Sequence, residues 1–312
     1  MFYPLKMKPV FKEMLWGGNT LRTRYGKDIP SDKTGESWEV ASHPNGQSVV
    51  ANGELEGLTL GEAMEKMGAD LLGDKVAATC NGRFPLLVKI IDANDNLSVQ
   101  VHPNDEQAAV LEKNDPGKTE MWYVLDAKPG ARLIYGFNQD LTKEQFEKAI
   151  KDGKLEDVMN YVDVKEGDTF LMRSGTLHAI GAGILVAEIQ QNSDTTYRVY
   201  DYNRRDAQGN LRQLHVEKAL QVTKLESSVG HERIDINDGV KCEYFTTTLM
   251  KVDGSFTQEV DPNRFEMLIC TEGEGEVNGV SFRPGDSFVI PAKIGSYTIT
   301  GNCSLLRSFV TC

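Results

Sequence analysis

Short apolar runs broken by turn residues set the rhythm of the chain. LLVKIIDA, LSVQVHP, MWYVLDA, TFLMRSG, GILVAEIQ, FTTTLMKV, RFEMLICTEG, SFVIPA and SYTITG are rich in Val, Ile, Phe, Tyr and Thr, and Gly, Pro, Asn or Asp separate them. This is the pattern of an antiparallel β protein. A few helices interrupt it. Thr59 with Glu62, and Thr142 with Gln145, have capping-box spacing ahead of apolar stripes. Asn104 is placed to cap a short helix through Leu111, residues 213–222 read as one more, and Gly153 predicts the stop of the helix begun at Thr142.

One internal similarity organises the strands. GDTFLMRSGTLHAI, from Gly167, resembles GDSFVIPAKIGSYTI, from Gly285. In both, a Gly-Asp turn leads into an apolar strand, then a second turn and a second strand, as two related barrels in one chain would require. Where the first copy has His178, the second has Ser296 or Tyr297. The polar stretch from about 225 to 242, with SSVGHERIDINDG, is the expected linker.

Composition narrows the chemistry. With 312 residues and 40% hydrophobic content the chain can build one large or two medium domains. A formal net charge of −12 argues against a general binder of nucleic acid or of anionic membranes, so any anion must meet locally collected basic residues. The N-terminal MFYPLKMKPVFKEMLWGG lacks the apolar core of a signal peptide, and no run of about 18 apolar residues predicts a membrane helix. Cys80, Cys242, Cys270, Cys303 and Cys312 are odd in number, scattered and without a CxxC pair. They predict reduced thiols in a cytoplasmic protein. A metal would then fall to His, Glu, Asp or Gln.

Such residues share a face in LSVQVHP, where alternation in a strand sets Ser98, Gln100 and His102 against Leu97, Val99 and Val101. A strand with its polar face in water accounts for this as well; in a barrel the polar face can instead be the functional interior. Glu120 opens an apolar strand, and His178 follows the turn Ser174-Gly175-Thr176. Each alone fits a surface or core residue. Together, two His, one Glu and one Gln form an N/O set suited to zinc or another divalent ion with positions left open.

GESWEVASHPNG, PLLVKIIDANDNLSVQVHPND, GKTEMWYVL and GTLHAIGAGILVAEIQQNSDTTYRVYDYNR resemble type I phosphomannose isomerases in order, from Trp16-Gly17-Gly18 to about Arg205. The resemblance implies a mainly β fold of two cupin-like (jelly-roll) barrels with inserted helices. An N-terminal metal-binding domain would span 1–228 and a C-terminal barrel without metal 229–312. It implies one zinc per chain on Gln100, His102, Glu120 and His178, and it places Lys89, Ser98, Lys118, Glu188 and Arg198 in or around the pocket. Read singly, Lys89 would snorkel from its strand, Ser98 and Lys118 would be ordinary strand and loop residues, Glu188 would face solvent, and Arg198 would pair with Asp194 or Asp201. Glu120 and His178 are too close in sequence to contain the helical insertion of longer members, so the chain resembles the compact bacterial form, a monomer acting on a sugar phosphate.

The expected reaction is the interconversion of mannose 6-phosphate and fructose 6-phosphate through a metal-stabilised cis-enediol(ate). Arg198 would meet oxyanion charge, Lys118 and Glu188 would be the candidates for proton transfer, and Lys89 and Ser98 would bind the phosphate. A cupin dioxygenase and a non-catalytic sugar-phosphate-binding cupin module are the competing expectations.

Overall fold

A computed structural model describes residues 2–112, 115–205, 209–231 and 233–312. Its three main layers are antiparallel sheets. A six-stranded sheet runs in the order Thr169–Met172, Glu120–Ala127, Ile184–Gln191, Leu86–Ala93, Thr34–Val40, Val10–Gly18. Across a cavity from it lies a five-stranded sheet, Met159–Asp163, Arg132–Phe137, His178–Ala179, Val99–Val101, Tyr197–Tyr200. The third sheet is built on Phe245–Glu259, Ser296–Val310, Glu266–Val277 and Ser287–Ile290, and the N-terminal strand Leu5–Lys8 adds to its edge.

Burial explains why two strands carry no polar–apolar alternation. All eight residues of Leu86–Ala93 and of Ile184–Gln191 are buried, because their sheet is covered on both faces. One face joins Leu86, Val88, Ile90, Ala187 and Ile189 to Phe245, Phe265, Met267 and Leu306 of the third sheet in a single core. The other face looks into the cavity.

The helices follow their caps. Leu60–Met67, Asp105–Leu111 and Lys143–Lys151 each begin with a capping box, at Thr59, Asn104 and Thr142. The last of them ends as expected: Gly153 takes φ 66° and donates its N–H to the Ile150 carbonyl. The helix expected over 213–222 forms as Val216–Val222, starting later than 213. His215 and Gln213 are engaged with the neighbouring strand instead, His215 donating its N–H to the Arg198 carbonyl and Gln213 accepting from the Arg198 guanidinium.

The repeated Gly-Asp hairpin is a repeat in space. Gly167 and Gly285 have φ of 86° and 85°, and in each turn the Asp carboxylate accepts the N–H three residues back, from Lys165 and from Arg283. Both glycines donate to the strand opposite, to Val124 and Cys270, whose own N–H groups return to Asp168 and Asp286. Each following strand has its free edge covered, the first by Arg233 and Ile234, the second by Leu5–Lys8. Among the described residues no helix is long and apolar enough to cross a membrane.

Candidate metal centre and substrate cavity

His102, Glu120 and His178 come from three different strands or strand ends, and their ligand atoms lie within 4.8 Å of one another, fully buried. Each imidazole is oriented from behind by a backbone carbonyl, His102 Nδ1 by Thr195 and His178 Nδ1 by Thr176, both at 2.8 Å. A carbonyl only accepts, so both Nδ1 atoms carry the hydrogen and both Nε2 lone pairs point inward. They approach Glu120 to 3.6 and 3.2 Å. Both Nε2 atoms and both Glu120 oxygens have no hydrogen-bond partner. Acceptors facing acceptors in a dry site are costly unless a cation joins them, and two imidazole nitrogens with a carboxylate suit a divalent metal.

The charge state agrees with that fit. Burial, with the Lys118 charge, holds His102 well below the usual histidine range, so it is a neutral ligand. Burial works against the Glu120 carboxylate, but the Lys118 charge beside it outweighs burial and holds the group well below its usual value. Lys118 Nζ sits 3.0 Å from Glu120 Oε2, close enough to pair but outside hydrogen-bond geometry.

Strand register sets the centre next to a cavity of about 300 Å³, lined by Gln100, the strand partner of His178, and by Lys118, the ion-pair partner of Glu120. Across the five-stranded sheet, His178, Gln100 and Arg198 stand side by side. Ser98 and Gln100 line the cavity with Lys118, while His102, expected on the same face, belongs to the triad. Arg198 donates through Nε to Ser98 Oγ at 3.2 Å and through Nη1 to the Gln213 carbonyl at 3.0 Å. Its bonds go to neutral oxygens, and neither Asp194 nor Asp201 pairs with it in the way its sequence neighbours suggested.

The facing sheet supplies a second row, Trp122, Glu188 and Lys89. Neither Glu188 nor Lys89 reaches solvent like an ordinary strand charge; each is 3% exposed. Trp122 Nε1 donates to Glu188 Oε2 at 2.8 Å, and Lys89 Nζ lies 3.3 Å from Oε1 and 3.7 Å from Glu36. Burial opposes the Lys89 ammonium, but Glu36 and Glu188 hold it protonated above its usual value. Glu188 moves the other way for a carboxyl: burial, then the Glu120 charge, push it up against the pull of Lys89 and Lys118.

All nine expected site residues therefore converge on the triad or its cavity. The sequence reading missed Glu36, Trp122 and Arg212, which line it too. Trp122 had a signal, two places from Glu120 on the same strand face; Arg212, in a loop, had none.

The second copy answers what replaces the triad. Glu266 stands opposite Ile290 as Glu120 stands opposite Met172, each partner five places past its turn glycine. Glu266 accepts from the Tyr297 hydroxyl at 2.8 Å and takes a two-pronged pair from Arg307 at 2.7 and 2.5 Å. Arg307 stands opposite Leu268 as Glu188 stands opposite Trp122.

The comparisons with known proteins agree along the whole length. Residues 4–128 match the phosphomannose isomerase type I catalytic domain and residues 235–310 the mannose-6-phosphate isomerase cupin domain. Mannose-6-phosphate isomerase ManA of Bacillus subtilis is 44% identical over 98% of each chain, and the mannose-6-phosphate isomerase of Streptococcus mutans is 38% identical over 99% of this chain and 98% of its own. The crystal structure of the mannose 6-phosphate isomerase from Bacillus subtilis superposes with a TM-score of 0.88 at 37% identity, covering 98% of this chain and 99% of that one. The mainly β, cupin-type fold is thereby established.

Proposed function

The chain belongs to the type I phosphomannose isomerase family, and from that membership we infer that it interconverts mannose 6-phosphate and fructose 6-phosphate in the cavity between its two N-terminal sheets. The observation that carries this furthest is the donor-free cluster of His102, Glu120 and His178 beside a buried carboxylate, a lysine and an arginine. We assign the cluster, with Gln100, to one zinc ion per chain. When bound, the metal would supply Lewis-acid polarisation of a substrate carbonyl.

Aldose–ketose isomerisation moves a proton between C1 and C2 through a cis-enediol(ate). Glu188, with its raised affinity for a proton, is the group we assign to take and return it. Lys118 presents an ammonium to the cavity beside the triad, and Arg198 offers N–H donors to developing oxyanion charge. Ser98 and Lys89 are assigned as substrate contacts. Trp122 keeps Glu188 aimed, and the buried rows exclude bulk water from the proton's path. We place the protein in the cytoplasm, in line with its five free cysteines, and assign it as a monomer. We divide the chain at 228/229, with the strand Leu5–Lys8 lent to the second unit.

Fructose 6-phosphate appearing from mannose 6-phosphate under anaerobic conditions tests the assignment; tight sugar-phosphate binding with no turnover would leave only a binding module. The carboxyl assignment has its own check. A base works as the carboxylate, so kcat falls as pH drops through the raised Glu188 value, and the acid limb lies above the usual glutamate range. Glu188→Gln should lower kcat by about 10²–10⁴-fold and erase that limb. A near-normal kcat with an unchanged limb would remove Glu188 from the role.

A further inference from the structure

The positive groups around the cavity are not equally committed. Lys89 lies between Glu36 and Glu188, and Lys118 is paired with Glu120, so carboxylates already balance both lysines. On the opposite side the balance fails. Arg198 bonds to neutral oxygens. Arg212 reaches one carboxylate, Asp201, at 3.4 Å, and Arg204 pairs with the same Asp201 oxygen. Three guanidiniums thus gather near one buried carboxylate, Arg204 also lying 4.0 Å from the exposed Asp95, and two of them, Arg198 and Arg212, line the substrate cavity together with Asp194, whose carboxylate accepts from Asn45.

Their placement is also directional. The row His178, Gln100, Arg198 leads away from the triad across the sheet. The segment carrying Arg212 is fastened just beyond it, with Gln213 and His215 hydrogen-bonded to Arg198. Burial and the Arg212 charge both bring the Arg198 guanidinium below its usual value, as expected of two neighbouring cations on one wall.

We propose that Arg212 is a substrate-binding residue that takes the phosphoryl oxygens of the sugar phosphate, at the end of the cavity away from the metal triad. This rests on the isomerase reading for its substrate but not for its chemistry. A planar guanidinium with one shared carboxylate partner can give two parallel N–H donors to a phosphate dianion. The excess charge on this wall also explains how a chain of net charge −12 holds an anionic substrate. The sugar would then lie along the row, with C1 and C2 at Lys118 and Glu188 and C6 toward Arg212.

The test compares Arg212→Gln and Arg212→Lys with the parent by steady-state kinetics and by competition with inorganic phosphate. The expected result for Arg212→Gln is a KM for mannose 6-phosphate raised about ten- to a hundredfold with kcat nearly kept, and inhibition by phosphate weakened by a similar factor. Arg212→Lys should recover part of both, which a merely structural link to Asp201 would not do for phosphate inhibition. KM and phosphate inhibition within twofold of the parent in Arg212→Gln would overturn the proposal, as would a loss of kcat at unchanged KM. Should the parent show no isomerase turnover, the isomerase reading falls alone. Thermal stabilisation by inorganic phosphate, present in the parent and lost in Arg212→Gln, would still carry the anion site, and its equal presence in both would sink it.

Discussion

Glu120→Gln is expected to lower kcat by about a thousandfold or more and to abolish stabilisation of the protein by added zinc. Glu120 is the one anionic member of the buried cluster and faces both Nε2 atoms. An amide removes the charge that holds a dication and turns an N–H donor toward one of the imidazole lone pairs, so it competes with the metal directly. Lewis-acid polarisation lowers a barrier by several kcal/mol, at about 1.4 kcal/mol per tenfold in rate. The parent should behave as the variant's mirror: stripped by a chelator it loses turnover and melts lower, and zinc returns both. Metal content, melting temperature and turnover measured on the same samples check the point. A variant that keeps zinc-dependent turnover within tenfold of the parent would take the metal away from this cluster.

The largest expected effect on stability lies in the other unit. Arg307→Met should destabilise the protein by about 3–5 kcal/mol, the usual consequence of leaving one member of a buried ion pair alone. Glu266 is 1% exposed and would retain only the Tyr297 hydroxyl. Arg307 also lies over the Phe309 ring, 4.8 Å from its centroid, so part of the loss is packing. Urea unfolding followed by intrinsic fluorescence would report it. The double variant Glu266→Met with Arg307→Met should recover much of the loss, because two apolar side chains leave no orphaned charge. A single variant within about 1 kcal/mol of the parent would mean that water or another donor replaces Arg307.

Local physics made much of this molecule legible before its structure. The capping boxes at Thr59 and Thr142 need only four consecutive residues, and both form. Alternation put Ser98, Gln100 and His102 on one face without knowledge of the partner strands, and the Gly-Asp turns announced the repeat. The unseen features depend on register, which single strands do not encode. That Gln100 stands between His178 and Arg198 is a property of three strands together. The same holds for Lys89, whose burial looks wrong until Glu36 and Glu188 are placed beside it. Glu266 and Arg307 are 41 residues apart, and neither has a sequence neighbour that hints at the other.

The pairing of Glu266 with Arg307 has a consequence for how the protein meets scarcity. At the position where one half carries Glu188, the other carries Arg307, so Glu266 has a fixed two-pronged partner where Glu120, although beside Lys118, keeps both oxygens free of hydrogen bonds. The self-sufficient half is also the one that lends its apolar face to the shared core and holds the strand Leu5–Lys8. A shortage of divalent ion should therefore cost turnover before it costs the fold of the second half. Such a molecule would wait as a folded, rechargeable reserve, and the cell would regain its activity at the speed of ion binding instead of new synthesis.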